Sequence, residues 1–162
     1  MTKKAAGIVI LVLVAIGVLA MGMRRASMMH GGGSQLDLVA VSADGAQIPQ
    51  STTDLPKGTA KQTSGTLIIS LTLNPYPASV GRSTDFDVTL TDAKGQSIDD
   101  ASISLDLTMP SMWMPPNQLA SEFVSNGKYH ANGQFTMRGG WRIEVIITRG
   151  SETQSVFFDL GL

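Results

Sequence analysis

The sequence predicts an all-β domain, an antiparallel sandwich of about seven strands, behind one N-terminal transmembrane helix. Three observations carry the domain, and a fourth the helix. Residues 65–162 alternate apolar and polar side chains with period two, turn signals punctuate that alternation, and no helical stripe is evident. Ahead of it, Ala5 to Met23 is a run of nineteen uncharged residues between Lys3-Lys4 and Arg24-Arg25.

The apolar run comes first. At about 1.5 Å rise per residue it spans ~28 Å as a helix, close to the hydrocarbon thickness of a bilayer. Residues 1–25 therefore read as a membrane anchor or signal-anchor. The other reading is a signal peptide cut after Val18-Leu19-Ala20, but the run is long for one and Arg24-Arg25 would follow the cut awkwardly. Both place the rest of the chain on the extracytoplasmic side, periplasmic or outer.

Residues 26–64 are rich in Gly, Ser, Thr, Gln, Asp and Lys, with Pro49 and Pro56 and few large apolar side chains. This composition reads as a flexible linker, with Leu36 to Val41 as a short extended piece at most. Met28-Met29-His30 stands at its start, either plain juxtamembrane sequence or a loose soft-metal site.

The domain of 65–162 follows. Thr66 to Leu73 is a first strand, closed by Asn74-Pro75-Tyr76-Pro77. Thr84 to Thr91 sets Phe86, Val88 and Leu90 on one face against Asp85 and Asp87 on the other. Ala101 to Met109 turns Ile103, Leu105 and Leu107 inward. Gln118 to Ser125 is the next strand, and Asn126-Gly127 is the strongest hairpin signal in the chain. Lys128 to Phe135, Gly140 to Thr148 and Thr153 to Leu160 complete seven strands, whose spacing suits an immunoglobulin-like sandwich.

Composition excludes several functions. There is no cysteine, which removes disulfides, thiolate metal sites and a Cys nucleophile. Beyond Arg25 the chain carries 8 basic and 13 acidic residues, the wrong sign for nucleic acid. It has no GxSxG, HExxH or phosphate-loop motif, so no enzyme is expected.

The candidate chemistry lies in Met109-Pro110-Ser111-Met112-Trp113-Met114-Pro115-Pro116, between two expected strands. Thioether sulfur is a soft donor that suits Cu(I), and imidazole serves both copper oxidation states. The domain's other methionine is Met137 and its one histidine is His130. Met109, Met112, Met114, His130 and Met137 are thus candidate metal ligands. Each also has a plainer reading: methionine fills cores, Met109 keeps the parity of Leu105 and Leu107, and a lone histidine is more often structural or merely exposed.

Three patterns in Asp106 to Asp159 carry a family resemblance: Met109-Pro110-Ser111-Met112, then Gly127-Lys128-Tyr129-His130, then Phe135-Thr136-Met137-Arg138-Gly139-Gly140-Trp141. The segment resembles the YtkA-like domain family, which overlaps the FixH-like proteins. The resemblance implies an immunoglobulin-like sandwich behind an anchor, associated with copper handling, with Met109, Met112, His130 and Met137 at the motif positions that invite copper. Members often carry His just after the Met-Pro motif; here Trp113-Met114 stands there, which tilts the expectation toward Cu(I). The expected function is copper binding and transfer or resistance. The rival is a non-catalytic module that docks a membrane-protein partner, such as an oxidase-assembly or efflux component, through a Met112-Trp113-Met114 knob.

Overall fold

A computed structural model of the chain describes residues 37–48 and 55–162. Within them the alternating stretches form strands, and no helix occurs. The strands are β1 (Val39–Val41), β2 (Thr59–Ser64), β3 (Leu67–Asn74), β4 (Ser83–Asp92), β5 (Ser102–Thr108), β6 (Gln118–Ala120), β7 (Glu122–Ser125), β8 (Lys128–Gln134), β9 (Gly140–Arg149) and β10 (Glu152–Gly161). They make two five-stranded sheets, β1-β10-β9-β5-β6 and β2-β3-β4-β8-β7, in which every pairing is antiparallel.

The period-two pattern decides which side chains meet. Phe86, Val88 and Leu90 of β4, Leu105 and Leu107 of β5, and Ile143 and Val145 of β9 are fully buried in one cluster drawn from both sheets. This is a β-sandwich. Each such side chain stabilises the fold by about 1.5–3 kcal/mol relative to exposure. Phe135 joins the layers at one end, with ring centroids 5.7 Å from Phe86 and 5.3 Å from Trp141. The Asn126-Gly127 hairpin forms as its sequence requires, both residues taking positive φ.

Two features differ from the sequence reading. The expected linker, 26–64, contains β1 and β2, so the sandwich begins ahead of Gly65. Leu38 and Ala40 beside and within β1 enter the core while β1 pairs with β10. In β2 only Ala60 is buried, and the strand is held by its pairing with β3. A polar edge strand leaves almost no hydrophobic signature. The expected single strand from Gln118 to Ser125 is two: β6 pairs with β5, and β7 pairs with β8 in the other sheet. Ser121 makes the crossing, its N–H and its Oγ both donating to the Ile103 carbonyl at 3.1 and 2.7 Å. Leu119 closes this side of the sandwich over Gly133, where a Cβ would stand 2.5 Å from Leu119 Cδ1.

The expected anchor, residues 1–25, and Met28-Met29-His30 lie outside the described residues. Among those described, no helix is long and apolar enough to cross a membrane.

Candidate functional site

Four of the candidate ligands come from two connections at one end of the sandwich. β5 ends at Thr108, which pairs with Arg142 near the start of β9. The chain leaving β5 (Met109 onward) and the turn entering β9 (Phe135–Gly139) are therefore neighbours. Met109 continues the inward parity of β5 and is 5% exposed, as the plainer reading of that residue had it. Its side chain runs beneath the turn: a Cβ on Gly139 would stand 2.8 Å from Met109 Cε. Gly139 has φ +132, a conformation that L side chains rarely adopt, so glycine fits here on both counts.

The two connections are held from within. The Met112 N–H donates to the Met109 carbonyl at 3.1 Å, folding the chain back directly after Pro110-Ser111. The Trp141 Nε1–H donates to the Met137 carbonyl at 3.0 Å. Gly139 and Leu162 exchange two backbone hydrogen bonds of 3.0 Å, which tie the turn to the end of the chain. On this frame Met112 is 48% exposed and Met137 39% exposed. Met114 is half-buried and packs on the core, while Trp113, at 87% exposed, stands almost wholly in solvent. A cavity of about 640 Å³ adjoins the end, lined in part by Pro110, Ser111, Gly140 and Trp141.

The structure does not bring His130 to the methionines. In β8, Tyr129 and Ala131 take the buried positions, so the imidazole points out from the opposite face of its sheet. It also lies four residues, roughly 13 Å, back from the end of β8 that leads to Met137. Its partners are carboxylates. His130 Nδ1 is 2.8 Å from Asp87 Oδ1, and Nε2 is 3.7 Å from Asp85 Oδ1. Glu122 of β7 is its cross-strand neighbour on the other side. The hydrogen bond to Asp87 raises the imidazole pKa above 6.5; slight burial opposes this, and the charges of Asp87, Asp85 and Glu122 add to it. Asp85 is itself engaged by Asn132 Nδ2 at 2.8 Å. Among the described residues, no group of three or more His, Asp or Glu side chains is arranged to hold a metal ion.

What remains at the methionine end is a soft, uncharged donor set. Met112 and Met137 are the exposed methionines of this end, with Met109 Cε behind the turn that carries Met137. Such donors suit Cu(I) and offer little to hard cations. Gly139 and Trp141, which shape the turn, were not marked by chemistry in the sequence. Their signal is the Gly139-Gly140-Trp141 run itself.

Comparison with known proteins places the domain. The family model described as YtkA-like matches residues 61–146. No curated protein matches the chain. Among solved structures, a DUF4426 family protein from Pseudomonas aeruginosa PAO1 is similar at 15% identity and a TM-score of 0.45, over 65% of this chain and 94% of its own.

Proposed function

The chain belongs to the YtkA-like family, and from that premise we propose that it is a membrane-anchored, extracytoplasmic Cu(I)-binding protein that holds the ion at its methionine end and passes it on. It catalyses no reaction. Residues 1–25 anchor it, and the sandwich is of the immunoglobulin-like kind. The ligands are thioethers from Met112 and Met137, backed by Met109 and Met114, and His130 is not among them.

One observation carries the reading: Met109 Cε lies against Gly139, which sets the Met-rich connection after β5 beside the turn that bears Met137. Two exposed methionines on adjacent, internally braced turns offer an open soft site. Few, neutral donors bind weakly enough to release the ion to a partner. The test is an anaerobic Cu(I) titration of the full chain in detergent, with a competing chelator. Met112→Leu with Met137→Leu should weaken binding at least about tenfold, the loss of roughly 1.4 kcal/mol or more, and His130→Ala should not weaken it. Binding weaker than micromolar in the parent overturns the reading.

A second reading has its own support. Trp113, 87% exposed between Met112 and Met114, is an apolar knob of the kind that anchors protein interfaces. The knob would then dock a membrane-protein partner with no metal involved. Failure of Cu(I) titration would favour this reading.

A further inference from the structure

We infer that Met112 and Met137 form a reversible oxidation site, at which a peroxide converts the two exposed thioethers to sulfoxides while the buried Met109 and the fold are spared. The consequence for metal binding rests on the Cu(I) reading above; the selectivity does not.

Access decides which thioethers react. Methionine oxidation follows exposure of sulfur, and the structure divides these residues sharply. Met112 is 48% and Met137 39% exposed, whereas Met109 is 5% exposed within the core cluster. Met114 is half-buried against that cluster and should react at an intermediate rate. The chemistry needs hydrogen peroxide alone. A sulfur lone pair attacks one peroxide oxygen and the O–O bond breaks. An S=O group forms, and the departing hydroxide takes the proton of the transferred oxygen to leave as water. Sulfur loses two electrons and the peroxide gains them.

The effect on the molecule follows from where the oxygen lands. A sulfoxide in a core disrupts packing, because it makes an apolar side chain polar. Here both exposed methionines lie outside the core cluster. The turns that carry them are held by backbone and indole hydrogen bonds, Met112 N–H to Met109 O and Trp141 Nε1–H to Met137 O, in which sulfur takes no part. Oxidation therefore changes the donor and leaves the scaffold. A soft sulfur becomes a harder, oxygen-faced group that Cu(I) disfavours. The end of the sandwich that holds the ion is thereby switched off without unfolding.

The experiment treats the full chain with hydrogen peroxide and follows each methionine by mass spectrometry with fragment-ion localisation. Met112 and Met137 should gain oxygen roughly tenfold faster than Met109 in the folded chain, and all three at similar rates in denaturant. The thermal midpoint of the oxidised chain should stay that of the parent. Its Cu(I) affinity should fall at least tenfold and return after treatment with methionine sulfoxide reductases of both stereospecificities and a dithiol, which is oxidised to its disulfide as each S=O returns to thioether and water. The inference is overturned if Met109 keeps pace in the folded chain, if the oxidised chain loses its thermal transition, or if Cu(I) affinity is unchanged by oxidation. An untreated chain that binds no Cu(I) overturns the metal reading and the switch with it, while the order of oxidation still decides the site.

Discussion

His130 Nδ1 lies 2.8 Å from Asp87 Oδ1, across the β4–β8 pair on the outer face of the second sheet. That one relationship sorts the candidate ligands into two groups. The imidazole belongs to a carboxylate frame of Asp85, Asp87 and Glu122. The thioethers belong to the end of the sandwich, and the strand parity of β8 keeps the groups apart.

The first prediction concerns pH. Asp87 raises the folded-state pKa of His130 above the ordinary 6.5. Protonation is thus favoured by folding, and the stability it contributes is fully present below about pH 6.5 and lost as pH rises through the raised value. Asp87→Asn should cost more stability at about pH 6 than at about pH 8.5, and should return the imidazole titration toward 6.5. Urea unfolding at the two pH values and an NMR titration of His130 check this. An equal cost at both would mean that the charge on the imidazole contributes nothing to folding.

Much of this was legible in the sequence where burial is one-sided. In β4, Phe86, Val88 and Leu90 alternate with Asp85 and Asp87, and a strand with those faces has only one way to sit. The parity of Met109 likewise pointed into the core. β2 was not legible, because Ala60 is its one buried apolar side chain and its pairing is a backbone matter. Nor was the break at Ser121, since a change of sheet depends on which strand accepts the next hydrogen bond. For the site, the sequence brought the methionines near one another but grouped His130 with them. The same parity rule, applied between Tyr129 and Ala131, turns it outward.

The second prediction tests the turn that carries Met137. Gly139→Ala holds an L residue at φ +132, and its Cβ would stand 2.8 Å from Met109 Cε, the free end of a flexible side chain that can shift. The backbone strain should destabilise the fold by about 1–3 kcal/mol, and the shift of the methyl should add little. Gly140→Ala, whose Cβ would meet nothing within 4 Å, should cost much less. Urea unfolding of both variants decides it, and equal costs would show that a side chain at 139 does not strain the turn.

The third concerns the first strand. Arg142 donates from Nε and Nη2 to the two oxygens of Asp159 at 2.8 and 3.0 Å, lies 5.8 Å over the Phe157 ring, and reaches the Ala43 carbonyl from Nη1 at 3.5 Å. It links β9 and β10 to the turn that follows β1. Arg142→Ala should destabilise the fold by about 1–3 kcal/mol, as loss of a partly buried charge-assisted pair does. It should also speed hydrogen exchange selectively at the Gly45 and Ile48 amides, which close that turn by bonding to Ser42 and Ala40. Uniform acceleration across the sandwich would mean that the guanidinium supports the whole fold and not this strand.

The fourth separates the two tryptophans. Trp141 is buried, with its Nε1–H committed to the Met137 carbonyl, while Trp113 is 87% exposed. The parent should therefore emit from two populations, one quenched readily by acrylamide and one shielded. Trp113→Phe should remove the quenchable emission and change stability by less than about 0.5 kcal/mol, as a surface substitution does. Trp141→Phe should remove the shielded emission and cost about 1–3 kcal/mol, because it leaves the Met137 carbonyl without its donor and opens space beside Phe135. Since Trp113 sits next to Met112, its emission also reports on the site. Cu(I) at the thioethers should alter it in the parent and have no such effect after Met112→Leu with Met137→Leu. An emission change that survives that double substitution would place the ion elsewhere on the chain.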